Sequence, residues 1–118
     1  DLIKYINNKN LKGCLLEVQK TKFKENIFLE ISRLTWRFRT YLKIKSLKNQ
    51  SLNNQDIIKT TKISKYQYKY FEQETNKKSM NDILESLRAL KEVDQLLKST
   101  NLNHENIMLN LFNKLCKS

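Results

Sequence analysis

The sequence predicts an all-α fold, a compact bundle of about six or seven helices, and three observations carry that reading. Proline is absent and Gly13 is the single glycine in 118 residues. The breaks in the pattern are short polar clusters rich in asparagine and serine. Between them, apolar residues recur at spacings of three and four, the period of a helix with a buried face. A chain of this length suffices for one domain with a modest core that needs no staples. It starts at Asp1 without methionine, so residues 1–118 are expected to be a single helical domain cut from something longer.

Taken in order, Leu2, Ile3 and Ile6 predict a short first helix ending at Asn7-Asn8. A second runs from about Asn10 to Gln19 and buries Leu11, Cys14, Leu15 and Val18, with Gly13 as a weak point inside it. The third, about Lys24 to Lys48, is the longest. Ile27, Ile31, Leu34, Phe38, Tyr41 and Leu42 share one face, while Leu29, Trp36 and Leu47 fall on nearly the opposite one. A helix apolar on two sides is either central to its bundle or offers its outer side to a partner. Trp36 flanked by Arg33, Arg37 and Lys43 has the composition of an interface hot spot.

After a polar stretch from Asn49 to Asn54, two short helices are expected. Ile57 and Ile58 anchor the first; Tyr66, Tyr70 and Phe71 mark the second. Ser79, with Asp82 three residues on, resembles a capping box and opens the next helix, which extends to Ser99. Asn103 is a candidate cap for the last, carrying Ile107, Met108, Leu111, Phe112 and Leu115.

The helix from Ser79 to Ser99 holds an acid where oil is expected. Ile83, Leu84, Leu87, Leu90, Val93, Leu96 and Leu97 form its stripe, and Asp94 lies four residues after Leu90 and three before Leu97. A carboxylate there needs a partner. Lys98, one turn on, would make an ordinary surface pair. Arg37 or Arg39 from the third helix would make a buried strut, in which case Asp94→Ala costs a few kcal/mol.

Several function classes have little support. No apolar run approaches the length of a membrane span and no secretory signal is visible. Cys14 and Cys116 read as buried reduced thiols more readily than as a disulfide. With one histidine, His104, and no clustered thiols, no metal is expected. There is no glycine-rich phosphate loop, and the acids Glu85, Glu92 and Asp94 on one helix do not make a catalytic site, so neither cofactor nor catalysis is expected.

A formal net charge of +11 permits nucleic-acid or acidic partners without establishing them. Residues 53–71 imitate a helix-turn-helix, and seven lysines from Lys43 to Lys69 face the single acid Asp56. Lys59, Lys62, Lys65 and Lys69 are candidate phosphate contacts, and Gln67, Lys69 and Gln73 could reach base edges. Against specific reading, the glycine usual in such a turn is missing, and a helical corner with solvated lysines and packed tyrosines would look the same. Any DNA contact is expected to be weak and sequence-blind at most.

The order of elements carries a resemblance. Trp36-Arg37-Phe38-Arg39 on one helix, with Glu92-Val93-Asp94-Gln95-Leu96-Leu97-Lys98-Ser99 on a later one, resembles the C-terminal domain of the delta subunit of bacterial DNA polymerase III. Residues 53–62 and 64–75 look like that family's short helices, and Ile107 to Phe112 like its leucine-rich last helix. Lys65, Gln67 and Val93 depart from the family pattern, where proline, an aliphatic residue and alanine are usual.

The resemblance implies an oligomerisation or collar domain of the clamp loader in DNA replication, cytoplasmic and without catalysis. Its partners would be the collar domains of delta-prime and gamma/tau-type subunits. Contact with the sliding clamp would run only through a part preceding Asp1, and ATP would be hydrolysed by other subunits. Leu29, Arg33, Trp36, Arg37 and Leu47 are then expected to face partners, with Phe112 and Lys114 on a second edge. The competing classes are a free-standing basic nucleic-acid-binding module and a helical partner-binding domain unrelated to replication.

Overall fold

The computed structural model describes residues 2–99 and 103–116, so Asp1 lies outside the described residues. Eight helices are present among them: α1 (Leu2–Asn7), α2 (Leu11–Val18), α3 (Thr21–Glu25), α4 (Ile27–Asn49), α5 (Asn54–Thr61), α6 (Lys65–Asn76), α7 (Met80–Ser99) and α8 (His104–Leu115). The all-α expectation holds. The element missed in the sequence is α3, of which only Lys24 and Glu25 fell within the long helix expected from about Lys24. Asn26 causes the break, because its side-chain amide donates to the Lys22 carbonyl at 2.9 Å and competes with the helical ladder. Its own carbonyl then accepts from Glu30 N at 2.9 Å as α4 begins.

Short polar side chains set most of the helix starts. Asn10 accepts from Gly13 N, Asn53 from Asp56 N, Ser79 from Asp82 N and Asn103 from Glu105 N, all within 2.8 to 3.0 Å. Ser64 forms a full capping box with Gln67, each side chain engaging the other's backbone N–H. The α5–α6 corner manages without glycine because Lys62 takes the left-handed conformation, φ 61°.

The chain divides into two compact units, Asp1–Thr35 with Ser86–Ser118, and Trp36–Glu85. In the first, Leu2, Ile6, Val18, Phe23, Ile31, Leu90, Leu97, Met108 and Leu111 are among the buried side chains. Gly13 lets α2 approach α1 closely. A Cβ built there would stand 2.6 Å from Tyr5 Cδ1 and 2.8 Å from its Cγ. Phe112, expected at a partner edge, is completely buried. Its apolar ring belongs to the core, and a helix with Ile107, Met108, Leu111 and Leu115 buried has no second oily face at that position.

The second unit packs Ile44, Ile57, Ile63, Tyr68 and Phe71 together, with Leu47, Leu52 and Ile58 partly buried against them. Leu47 is thus spent largely on its own unit's core. The buried set on α6 is Tyr68, Phe71 and Thr75, not the Tyr66 and Tyr70 that had marked the helix.

Candidate interaction surfaces

Within Trp36–Glu85, α4 and α6 are tied by a charged cluster. Glu74 accepts from Arg37 through Nη2 at 2.9 and 3.1 Å and through Nε at 3.2 Å. The Tyr41 hydroxyl donates to the same carboxylate at 2.5 Å and accepts from Arg37 Nε at 3.2 Å. The Arg37 guanidinium also lies over the Phe71 ring, 3.9 Å from its centroid, and Trp36 meets that ring edge-on at 5.8 Å.

A second rung follows. Lys48 pairs with Glu72 at 2.6 Å, and Lys45 donates to the carbonyls of Thr75 and Lys78 at the C-terminal end of α6. A lysine at that end satisfies leftover carbonyls and meets the negative end of the helix dipole. The Tyr68 hydroxyl lies 3.0 Å from Asn54 Oδ1 and 3.2 Å from Glu72 Oε2. Burial first, and then the Glu72 charge, push its pKa up to about 12.

Of the two kinds of partner considered for Asp94, the surface pair is the one present. Asp94 pairs with Lys98 at 2.8 Å, with side chains 39% and 62% exposed, one turn apart on α7. Arg37 is committed to Glu74 instead, and Arg39 is exposed. Asp94 lies at the edge of its stripe, where water and Lys98 suffice for the charge.

The residues proposed to face partners separate into two groups. Leu29 and Phe28 are exposed, Arg33 reaches its helical neighbour Glu30 at 3.3 Å, and Trp36 is 51% exposed despite its edge contact with Phe71. Lys114 is exposed and sits 3.6 Å from Glu92. Arg37, Leu47 and Phe112 are engaged internally, as described.

The seven-lysine run is also sorted by the fold. Lys45 and Lys48 serve the α4–α6 contact, whereas Lys43, Lys59, Lys62, Lys65 and Lys69 are exposed. Two exposed tyrosines accompany them. Tyr66 and Tyr70, 74% and 48% exposed, pack edge to face at 5.4 Å with hydroxyls 3.3 Å apart. That hydrogen bond raises the Tyr66 pKa. Sequence reasoning named these tyrosines but took them as packed, and it missed Glu72 and Glu74 altogether. Two residues apart on a helix, they flank the buried face of Tyr68, Phe71 and Thr75 from opposite sides, so no single charged stripe marked them in the sequence.

The two thiols meet as well. Cys14 Sγ and Cys116 Sγ are 3.7 Å apart, free thiols within hydrogen-bonding distance of each other. Burial, reinforced by Cys116, pushes Cys14 up to about 12.

These features define a basic, all-helical domain with clustered ion pairs and exposed aromatic side chains. Among the described residues no group of three or more histidine, cysteine or acidic side chains could hold a metal, and no helix is long and apolar enough to cross a membrane. The sequence model of the DNA polymerase III delta subunit, C-terminal domain, matches residues 1–115, and the chain belongs to that family. Searches of curated proteins and of solved structures each returned no match.

Proposed function

We propose that residues 1–118 act as one non-catalytic assembly domain of the clamp loader, packing against the C-terminal collar domains of delta-prime and gamma/tau-type subunits during DNA replication. Membership of the delta C-terminal family over 1–115 supports the setting. The single observation that supports packing is Trp36. It is half exposed, yet its ring is braced by Phe71, so it is both available and preorganised. Leu29 and Arg33 are further exposed candidates on α4, and Lys114 supplies charge on α8. The domain works in the cytoplasm, requires no cofactor, and leaves ATP hydrolysis and clamp opening to other parts of the assembly.

A pull-down with the other loader subunits tests this reading, with Trp36→Ala alongside. The expected outcome is stable capture by the wild type and at least a tenfold weaker one by the variant, the loss typical of a hot spot above about 1.4 kcal/mol. Undiminished capture would move the interface away from α4. Capture of neither would remove the assembly role.

A further inference from the structure

We propose that Cys14 and Cys116 form a reversible redox pair, which a small-molecule disulfide oxidises to a crosslink fastening α8 to α2.

The first observation is the placement of the thiols. They stand 102 residues apart in the chain, yet α2 packs on α8 and brings the two sulfurs to 3.7 Å. An S–S bond of about 2.05 Å requires about 1.7 Å of further closure. Cys116 is the better placed of the two to supply it, because it caps the C-terminus of α8 and lies outside the helix proper. Cys14 is held within α2.

The second observation is a difference in access. Cys14 is completely buried, whereas Cys116 keeps part of its surface in water. Filling a core asks for two covered thiols; an exchange reaction asks for one covered and one reachable.

That difference orders the chemistry. The Cys116 thiolate attacks one sulfur of the oxidant R–S–S–R, forming Cys116–S–S–R and releasing the first RS⁻. Cys14 then gives up its proton and its sulfur attacks Cys116 Sγ. The Cys14–Cys116 bond forms, the Cys116–SR bond breaks, and the second RS⁻ leaves on the exposed side. Each RS⁻ ends as RSH, so two protein thiols are oxidised while one disulfide is reduced to two thiols.

Two effects compete in the second step. Burial holds the Cys14 pKa at about 12, which makes its thiolate scarcer than that of a free cysteine by about three to four powers of ten. Preset contact raises the effective concentration of the attacking sulfur to about 10⁵ M or more. Proximity wins, even at the lower end of its range. In a reducing compartment the pair rests as thiols, and the crosslink appears when the oxidised form of a small thiol accumulates. The bond closes a loop over most of the chain, so it removes much freedom from the unfolded state and stabilises the fold.

The test incubates the folded full chain with glutathione disulfide, quenches it in acid and follows it by mass spectrometry. A transient glutathione adduct on Cys116 is expected, followed by a monomer lighter than the starting chain by two hydrogens. Peptide mapping should join the segments that carry Cys14 and Cys116, and dithiothreitol should restore both thiols. The oxidised chain should melt about 10 °C or more above the reduced one, as for a bond that closes a long loop. Cys14→Ala should halt the reaction at the Cys116 adduct. Circular dichroism checks that this variant folds, and the wild-type masses and melting points stand without it. A lasting Cys116 adduct on the wild type, crosslinks between chains, a bond that forms only in urea, or an oxidised chain no more stable than the reduced one would each overturn the proposal.

Discussion

Replacing Glu74 with alanine removes the carboxylate that holds Arg37. Three Arg37 hydrogen bonds of 2.9 to 3.2 Å converge on it, and the two side chains are only 22% and 23% exposed. Stranding a fully buried charge costs about 3–5 kcal/mol. The remaining contact with water reduces that to about 2–3 kcal/mol. The Tyr41 hydroxyl loses an acceptor in the same step, a loss already contained in that figure because the network acts as a unit. For a chain of this size the midpoint of thermal unfolding should fall by roughly 8–12 °C. Urea unfolding followed by circular dichroism supplies the free energy. A cycle with Arg37→Met, which keeps an unbranched side chain over Phe71, and Glu74→Gln should give a coupling of about 1–3 kcal/mol. A loss below about 0.5 kcal/mol for Glu74→Ala would refute the view that this pair joins α4 to α6.

Other expectations can be checked in the same assays. Asp94→Ala should cost no more than about 0.5 kcal/mol, as for an exposed pair one turn apart, and a loss of several kcal/mol would reveal a buried partner. Gly13→Ala should destabilise by about 1–3 kcal/mol, since the clash with Tyr5 outweighs the helix propensity gained; a stabilised variant would contradict the close approach of α1 and α2. Cys14, with its pKa raised to about 12, keeps its proton in the fold, so alkylation at pH 8 should run at least about a hundredfold slower than in urea and accelerate as pH rises. Because the folded pKa lies above the unfolded one, this preference favours the fold below about pH 9 and is lost as pH climbs toward 12. Equal rates in native and denatured chain would refute the burial.

Much of the fold was legible because helices announce themselves by period and by caps. Asn10, Asn53, Ser64, Ser79 and Asn103 each stand at the start of a helix for the same reason, a side-chain oxygen offered to an unpaired backbone N–H. The break at Asn26 was hidden, since Ile27 and Phe23 keep the apolar rhythm across it and only a local hydrogen bond interrupts the backbone. Partner choice was the least legible feature. The sequence offered Asp94 either Lys98 or an arginine of the long helix, Arg37 or Arg39; Lys98 is the partner seen, and Arg37 pairs with Glu74, an acid that no apolar stripe made conspicuous. Period tells which face a residue occupies, not which neighbour fills the space opposite. Phe112 shows the same limit, because an edge and a core position look identical on a helix that is buried along most of one side.

The measurement that bears most directly on the assembly role is the mass of the mixture. The chain would be combined with delta-prime and gamma/tau-type subunits and examined by sedimentation velocity at physiological salt. The account predicts that it moves into the heavy species with them and that Trp36→Ala shifts it back toward the mass of the free chain. Sedimentation of the wild-type chain alone, at every ratio of the other subunits, would contradict it.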